Sequence, residues 1–411
     1  MGDQKKPELT SGKNTLPPLW LMALVLGVSV ANPYYAQSLL PSVESDFGLQ
    51  SGTVLLGPMA TQLGMAFGFL FLIPLGDGKE RRGMLSYLAL GMAGACCFLF
   101  LAPSFPTVLL GWLFLGFMAL IPALLPSFLT AFTPAAEQGR MLGIVISGQF
   151  SGILLSRTIS GLVAEIWGWR SIYALSAVMM AGVALLLRIR LPSLPATDKR
   201  SYWSLQLSMV KLWRQHALLR RSCITQTLLF GSFMSLWSAL ALHLATPPWR
   251  FGPARIGSFG LVGLATIVAA PFVGRFIDRY GPARIVTCGM LSTGSGIFLL
   301  LFNSLSIASL AVGLMAVDVG VQSSFVANQA RIYSIDPNSR SRMSSQLFLT
   351  SFLGASLCSL TISRFWNNWH WLGTCLFAMS LVTLAFIIEC RANYTHKQTP
   401  SSGATRRMFA F

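Results

Sequence analysis

Residues 274–284 read Gly-Arg-Phe-Ile-Asp-Arg-Tyr-Gly-Pro-Ala-Arg and connect two long apolar segments of the chain. The acid Asp278 is followed closely by the cations Arg279 and Arg284. Opposite charges at a helix end attract each other, so they can hold two helices together and release them when the helices separate. The segment therefore indicates a loop between membrane helices whose ion pairs can break and re-form.

A second, weaker copy of this loop follows an earlier apolar segment at residues 76–82, Gly-Asp-Gly-Lys-Glu-Arg-Arg. A shift of 201 residues places its Asp77 on Asp278, and a shift of 202 aligns five further pairs. These pairs are Arg140 with Arg342, Met141 with Met343, Gly152 with Gly354, Trp167 with Trp369, and Trp169 with Trp371. The shift contains an even number of apolar segments, so we predict duplicated halves of the same orientation, which are parallel repeats.

The composition is typical of a membrane protein. Of the 411 residues, 54% are hydrophobic and only 10% are charged, whereas a soluble protein carries about 25% charged residues. A hydrocarbon core about 30 Å thick needs roughly 20 apolar residues per helix. Twelve such segments begin near Leu19, Ser51, Gly83, Thr107, Met141, Ser171, Ser222, Ile256, Ile285, Leu305, Met343 and Trp371. We predict an all-α membrane protein with twelve transmembrane helices in two six-helix bundles.

Positive charge is unevenly distributed along the chain. With the N-terminus in the cytoplasm, the predicted cytoplasmic segments hold 25 of the 30 Lys and Arg residues. This is the positive-inside pattern, and it predicts that both termini are cytoplasmic. A net charge of +17 can indicate nucleic-acid binding, but here the charge follows the membrane topology. We therefore expect no nucleic-acid partner.

The same pattern divides the chain into five parts. They are a cytoplasmic tail at 1–15, an N-terminal bundle at 16–187, a basic cytoplasmic loop at 188–221, a C-terminal bundle at 222–390 and a second tail at 391–411. In the basic loop, Trp203, Leu207 and Val210 are interleaved with Lys211 and Arg214. This pattern is compatible with an amphipathic helix on an anionic membrane surface and equally with a solvated connector.

The two loops resemble the signature of the major facilitator superfamily, Gly-x-x-x-Asp-Arg-x-Gly-x-x-Arg. Residues 274–284 match it well, whereas the first copy has Ile73, Gly78 and Glu80 in place of a Gly, an Arg and a Gly. The resemblance covers the whole chain and implies a secondary transporter that works by alternating access around a central site. By analogy, cytoplasmic gating would involve Asp77, Arg81, Arg82, Asp278, Arg279, Gly281 and Arg284. The alternative is that these cations only set the topology.

Two charged residues lie inside apolar segments. Asp318, within residues 307–326, is the only acid in a segment long enough to cross the membrane, and Arg157, within residues 141–164, is its one basic counterpart. An ionised group at bilayer depth costs roughly 2.5–3.5 kcal/mol on insertion scales, so such residues usually mark a pathway or a partner. We predict that Asp318 binds a coupling proton, with purely structural pairing as the alternative. Arg157 would either form a salt bridge with Asp318 or capture an anionic substrate.

Further polar residues accompany this pair. Gln322 and Asn328 lie on the same predicted helix as the acid, and Asn32, Tyr35 and Gln37 cluster in the predicted extracellular half of the first helix. In the family that the chain resembles, the first and tenth helices line the cavity. Substrate contact is therefore one interpretation of these residues, and hydrogen bonding between helices with an interfacial aromatic belt is the other.

The sequence contains no Ser–His–Asp or Cys–His arrangement and no Walker motif, and its four His residues are too scattered for a metal site. We expect neither an enzyme nor a cofactor. The expected function is secondary active transport of a small solute across a bacterial inner membrane by a monomer in the lipid bilayer, coupled to H⁺ as an antiporter, with efflux favoured. The alternatives are uptake or exchange of an anionic metabolite held by Arg157, and a non-transporting membrane sensor on the same fold.

Overall fold

The computed structural model describes residues 17–50, 52–78, 80–134, 137–194, 202–302, 306–336 and 339–398, and within these ranges all regular secondary structure is helical. The α-helices are α1 (Leu19–Ala31), α2 (Ala36–Asp46), α3 (Leu56–Gly78), α4 (Arg81–Phe100), α5 (Phe105–Met118), α6 (Ile121–Thr130), α7 (Gln138–Trp167), α8 (Ser171–Arg190), α9 (Tyr202–Gln215), α10 (Ala217–Ala245), α11 (Pro253–Ser258), α12 (Leu264–Tyr280), α13 (Pro282–Phe302), α14 (Ile307–Tyr333) and α15 (Arg340–Gln398). Short 3-10 segments occupy Asn32–Tyr34, Thr53–Leu55 and Phe259–Gly263.

Within the described ranges, the helices form the membrane spans that hydropathy predicts. Ten stretches are long and apolar enough to cross a bilayer, and the bent pair Pro253–Ala269 and Phe272–Tyr280 forms one more. The stretch Arg342–Ala392 has 51 residues, far more than the roughly 20 that one span needs. Its helix α15 breaks at His370, where φ is 48° and ψ is −132°, so it supplies two spans. The described part of the chain thus contains twelve spans, and the predicted fold class is confirmed.

Proline interrupts the first span. Pro33 lies in the 3-10 segment Asn32–Tyr34 that joins α1 to α2. Proline lacks an amide hydrogen and disfavours a continuous α-helix, so the chain changes its helical phase at this point. As a consequence, neighbouring residues before and after the break face different helices.

Small residues allow close packing within the N-terminal half. Gly148 and Gly152 of α7 lie against Ala23 and Gly27 of α1, and a Cβ atom added to Gly152 would be 2.2 Å from the Gly27 carbonyl oxygen. Only glycine fits such a contact between two backbones. The four-residue spacing of glycines along α7 therefore serves the packing of the bundle.

The two halves are in contact at the end that the charge pattern predicts to be extracellular. A Cβ atom added to Gly161 of α7 would lie 2.3 Å from the carbonyl oxygen of Pro253 in α11. On the other side of the interface, the Ser363 hydroxyl of α15 donates to the carbonyl of Gly52 at 3.0 Å. The resulting interface is tight because small side chains let the backbones approach.

Helix α9, in the basic loop, contacts both halves near the predicted cytoplasmic end. The Gln206 side chain donates to the carbonyl of Leu70 in α3 at 2.5 Å, and Gln346 of α15 donates to the carbonyl of Met209 at 2.5 Å. The opposite face leaves Trp203 72% and Leu207 69% exposed. This exposed apolar face favours the interpretation of α9 as an interfacial amphipathic helix.

Two further buried charges lie near helix ends, beyond the apolar segments that contain Asp318 and Arg157. Glu389 lies within the stretch Arg342–Ala392 and is 2% exposed, and Arg331 lies within the span Ile307–Tyr333 and is 4% exposed. Both stand near helix ends, where the sequence predicts solvated loop charges. In the structure these ends are packed against α10, and the charges are buried together.

Candidate functional site

Arg157 lies on α7 at the interface between the halves and is 4% exposed. Its Nε donates to Oε1 of Gln37 at 2.6 Å. Its guanidinium carbon is 4.0 Å from the centre of the Trp237 ring and 5.7 Å from that of Tyr34. A cation over an aromatic face is stabilised by the ring quadrupole, most strongly when water is excluded. The arginine is therefore held by one hydrogen bond and by two aromatic rings.

Asp318 lies on α14 and is 5% exposed. Its Oδ1 accepts a hydrogen bond from the indole nitrogen of Trp237 at 2.8 Å. Among the described residues no direct ion pair joins Asp318 to Arg157. Trp237 instead connects them, because its N–H contacts the carboxylate while its ring face contacts the guanidinium.

This assembly crosses the interface between the halves. Arg157 and Gln37 belong to the N-terminal half, whereas Trp237 of α10 and Asp318 of α14 belong to the C-terminal half. The Gln37 side chain also reaches across, with its amide nitrogen 3.6 Å from the sulfur of Met234. Any rotation of one half against the other must change the distance between the two charges.

A cavity lies next to this assembly. Its empty volume is about 330 Å³, and it lies between α2, α3, α10 and α15. Tyr34 and Gln37, both contacts of Arg157, line it together with Gln62, Met234 and Phe352. Ligand pockets for small molecules have volumes of about 300–1,000 Å³ and mostly apolar walls with few polar groups. This cavity has such a wall, but its 330 Å³ includes open solvent, and the enclosed space is far smaller than a ligand pocket of that kind.

The other residues predicted on the first span face away from this cavity. The amide nitrogen of Asn32 donates to the Val28 carbonyl at 2.8 Å, and its oxygen accepts from Cys96 at 3.3 Å and from Ser176. Tyr35 is buried next to the same two side chains. The contacts of both residues thus fit hydrogen bonding between helices of the N-terminal half. Gln37 alone of the three reaches the central assembly.

The predicted polar residues on α14 are also divided. Gln322 is half-buried, whereas Asn328 is fully buried and donates to Oε1 of Gln226 at 3.2 Å. Asn328 also accepts from Arg331 at 3.3 Å. It therefore belongs to a second polar cluster, nearer the predicted cytoplasmic end, and lies apart from the cluster around Asp318.

That second cluster centres on Glu389 of α15, which the sequence analysis missed. Arg331 of α14 donates from Nη1 and Nη2 to its two carboxylate oxygens at 3.0 and 3.1 Å. Arg221 and Thr225 of α10 also bind this carboxylate, the latter at 3.1 Å. Three helices of the C-terminal half are thus joined by one buried acid that pairs with two arginines.

The two predicted gating loops differ in what the structure shows. In the second loop, Asp278, Arg279 and Arg284 are exposed, and Gly281 has a φ of 81°, which glycine adopts without strain. Asp278 forms no ion pair with any described residue. In the first loop, Arg82 pairs with Glu80 at 3.0 Å and Arg81 is half-buried. The side chain of Asp77 lies outside the described part of the structure.

The sequence gives only a weak indication that Trp237 belongs to the site. It stands in an apolar helix as Ser-Leu-Trp-Ser and carries no formal charge. Tryptophan joins an apolar ring to a single N–H donor, which usually finds a partner when it is buried. The sequence feature that marks Trp237 is a tryptophan between two serines, Ser235 and Ser238, within a long apolar helix.

Comparisons with known proteins agree with this architecture. The family model of the Major Facilitator Superfamily matches residues 19–247. The chain is 31% identical over 385 residues to "Uncharacterized transporter YgaY" of Escherichia coli O157:H7, covering 93% of this chain and 98% of that one. It is 29% identical to "Probable transporter SCO4007" of Streptomyces coelicolor, covering 93% and 88% of the two chains.

Among solved structures, the POT family transporter PepTSo has the same fold with a TM-score of 0.75. The alignment covers 93% of this chain and 99% of that one, at 12% identity. Such low identity establishes a common fold alone. The fold, the family match and the similarity to YgaY agree: the chain belongs to the major facilitator superfamily and is a multi-pass membrane transporter.

Proposed function

We propose that this transporter moves a small solute through the cavity between its halves by alternating access, and that Asp318 carries the coupling proton. The observation that supports the proposal is the Arg157–Trp237–Asp318 assembly, whose members come from both halves. Ionisable groups inside membrane spans are rare and usually serve a transport pathway. Rocking of the halves would move the arginine toward and away from the acid, and this movement would load and release the proton.

The proton gradient is a sufficient energy source for this cycle. One elementary charge that crosses the membrane field is worth about 2.3 kcal/mol per 100 mV, and about 1.4 kcal/mol corresponds to a tenfold concentration ratio. A single proton per cycle therefore supports more than tenfold accumulation. The chain would act as a monomer in a bacterial inner membrane with both termini cytoplasmic and the two bundles at 16–187 and 222–390.

Gating at the cytoplasmic side is part of this proposal. The exposed Asp278 and its neighbours Arg279 and Arg284 would form ion pairs when the cytoplasmic ends of the halves approach, with Asp77, Arg81 and Arg82 acting in the other half. The halves are in contact toward the predicted extracellular end. We infer that the structure corresponds to a state open toward the cytoplasm, in which Asp278 forms no ion pair with the described residues.

The direction of transport depends on the charge of the substrate. Efflux by exchange with protons, the direction that the sequence favours, requires a neutral or cationic solute that competes with the proton. Uptake or exchange of an anionic metabolite is the second candidate, and the buried Arg157 favours it.

The test uses the purified transporter in proteoliposomes. Counterflow with a panel of radiolabelled solutes identifies a substrate, and accumulation is then measured under an imposed pH gradient. We expect Asp318→Asn to fold and insert normally but to lose accumulation driven by the gradient. Asp46→Asn is the matched control, because Asp46 pairs with Arg170 at the predicted extracellular surface. Normal accumulation by Asp318→Asn would exclude Asp318 as the coupling residue, and a protein without any counterflow would instead fit a sensor.

A further inference from the structure

The bonding of Arg157 is incomplete. A guanidinium carries five N–H donors, and Nη2 of Arg157 is buried without any hydrogen-bond partner. Leaving a buried donor unpaired costs about 1–3 kcal/mol, and more when the group is charged. Both neighbouring rings contact the face of the guanidinium and cannot satisfy this donor. Nη2 is therefore a donor of this buried cation for which the described residues supply no acceptor.

Arg331 provides a comparison within the same protein. The two arginines are equally buried, each 4% exposed. Arg331 forms a two-pronged pair with the Glu389 carboxylate at 3.0 and 3.1 Å, whereas among the described residues no carboxylate pairs with Arg157. A buried arginine matches a carboxylate in both geometry and charge. Arg157 thus lacks the type of partner that Arg331 has.

The adjoining cavity indicates what else the missing partner carries. Gln37 and Tyr34 contact Arg157 and also line the cavity of about 330 Å³, and apolar side chains such as Met65, Met234 and Phe352 form much of its wall. An anionic group at Arg157 would leave the rest of the molecule against these apolar residues. The ligand would therefore have one small anionic head and a compact apolar body.

Charge balance determines how such a ligand interacts with the proton. The ionisable groups that act on Arg157 are Asp318 and the Tyr34 phenol, and the one that acts on Asp318 is Arg157. When Asp318 is ionised, the acid and the arginine sum to zero charge, and an incoming anion would add an unbalanced negative charge. When Asp318 is protonated, the anion takes its place as the counterion of Arg157. By linkage, the anion and the proton strengthen each other's binding.

We infer that Arg157 anchors the anionic group of a small amphipathic monoanion, and that this anion binds together with a proton rather than in exchange for one. The inference rests on the proposed transport function and specifies its substrate class. It assigns to the transporter the symport of a proton and a monoanion. Because the pair crosses without net charge, the pH gradient and not the membrane field would drive this symport. An amphipathic cation or neutral molecule would leave Arg157 without a counterion when Asp318 is protonated.

Equilibrium binding tests this assignment without requiring turnover. Radiolabelled benzoate is bound to the detergent-purified transporter, with unlabelled benzylamine and benzyl alcohol as competitors that keep the ring and change the charge. We expect benzoate to bind more tightly as the pH falls, and neither competitor to displace it. Arg157→Gln should weaken binding by about ten- to hundredfold, as expected for a lost hydrogen bond to a charged group. Arg170→Gln, at a partly exposed arginine outside the site, is the control.

Further variants keep the experiment decisive. Arg157→Lys retains the charge without the planar fork and should bind benzoate with intermediate affinity, which covers the case in which the glutamine variant does not fold. Asp318→Asn should bind benzoate with no dependence on pH. The inference is overturned if wild type does not bind benzoate, if benzylamine or benzyl alcohol competes equally well, or if Arg157→Gln binds like wild type. If Asp318→Asn loses gradient coupling but wild type does not bind benzoate, the proposed substrate class is refuted and the proposed proton site is not. If wild type binds benzoate with an affinity independent of pH, the proposed proton site is contradicted.

Discussion

The guanidinium of Arg157 stacks on the ring of Trp237 with 4.0 Å between the guanidinium carbon and the ring centre. The two residues belong to different halves of the transporter, so in the proposed mechanism this contact lies on the surface that opens and closes. The same indole donates to Asp318 at 2.8 Å. One side chain therefore touches both buried charges of the central site, and its two functions can be separated by mutation.

Replacing Trp237 by Phe should keep an aromatic face for Arg157 and remove the hydrogen bond to Asp318. A bond to a charged group contributes about 1.5–3 kcal/mol, so we expect accumulation under a pH gradient to fall by about tenfold or more. Counterflow without a gradient should change much less. Trp112→Phe is the matched control, because it removes an indole bond to the Tyr173 hydroxyl at 2.7 Å outside the site. Equal losses in both assays would contradict a role in coupling.

Replacing Glu389 by Gln should destabilise the C-terminal half. Arg331 and Arg221 would be left near a neutral partner, and removing one member of a buried pair costs about 3–5 kcal/mol. Thermal unfolding of the purified transporter in detergent measures this change. Glu80→Gln removes the exposed partner of Arg82 and should cost only about 0–1 kcal/mol. If both variants unfolded at the wild-type temperature, the buried cluster would have no structural role.

Replacing Gly152 by Val should disrupt the packing of α7 on α1. A Cβ atom at this position would be 2.2 Å from a backbone oxygen of Gly27, and a backbone atom cannot rotate out of the way. Overpacking of this kind costs typically about 1–3 kcal/mol or more. We expect a lower yield of monodisperse protein in size-exclusion chromatography. Gly94→Val on α4 meets no atom within 4 Å and should elute as wild type does.

Replacing Trp203 and Leu207 together by Ser should weaken the contact of α9 with anionic lipid. Both side chains are more than half exposed, and Lys211 and Arg214 are exposed on the same helix. Apolar insertion and basic residues act together at an anionic surface. Wild type should unfold at a higher temperature in nanodiscs of phosphatidylglycerol than of phosphatidylcholine, and the double variant should lose most of this difference. An unchanged difference would support a solvated connector instead.

The sequence was sufficient for the fold because membrane helices are determined by continuous apolar length. The loop at 274–284 and the offset near 202 residues then identified the family, and the comparisons confirm it. The sequence also singled out Arg157 and Asp318, because a charge in an apolar run is conspicuous. Arg157 and Asp318 both contact Trp237 because of the way the two halves dock. The periodicity within a single helix carries no information about docking.

The features of the site that the sequence did not predict have identifiable physical causes. Asn32 and Gln37 stand close together in sequence, but the 3-10 segment between α1 and α2 changes the helical phase, and the two side chains face different partners. Glu389 and Arg331 lie near helix ends, where a charge normally faces water. Their burial results from packing against α10, and hydropathy along one helix cannot predict it.

Two hydrogen bonds hold α9 between the halves: Gln206 of α9 donates to the Leu70 carbonyl of α3, and Gln346 of α15 donates to the Met209 carbonyl of α9. A helix that is hydrogen-bonded to both halves resists their rotation. In the proposed transport cycle at least one of these two hydrogen bonds therefore has to break. Bilayer composition would then set the speed of the transporter through a helix that spans no membrane.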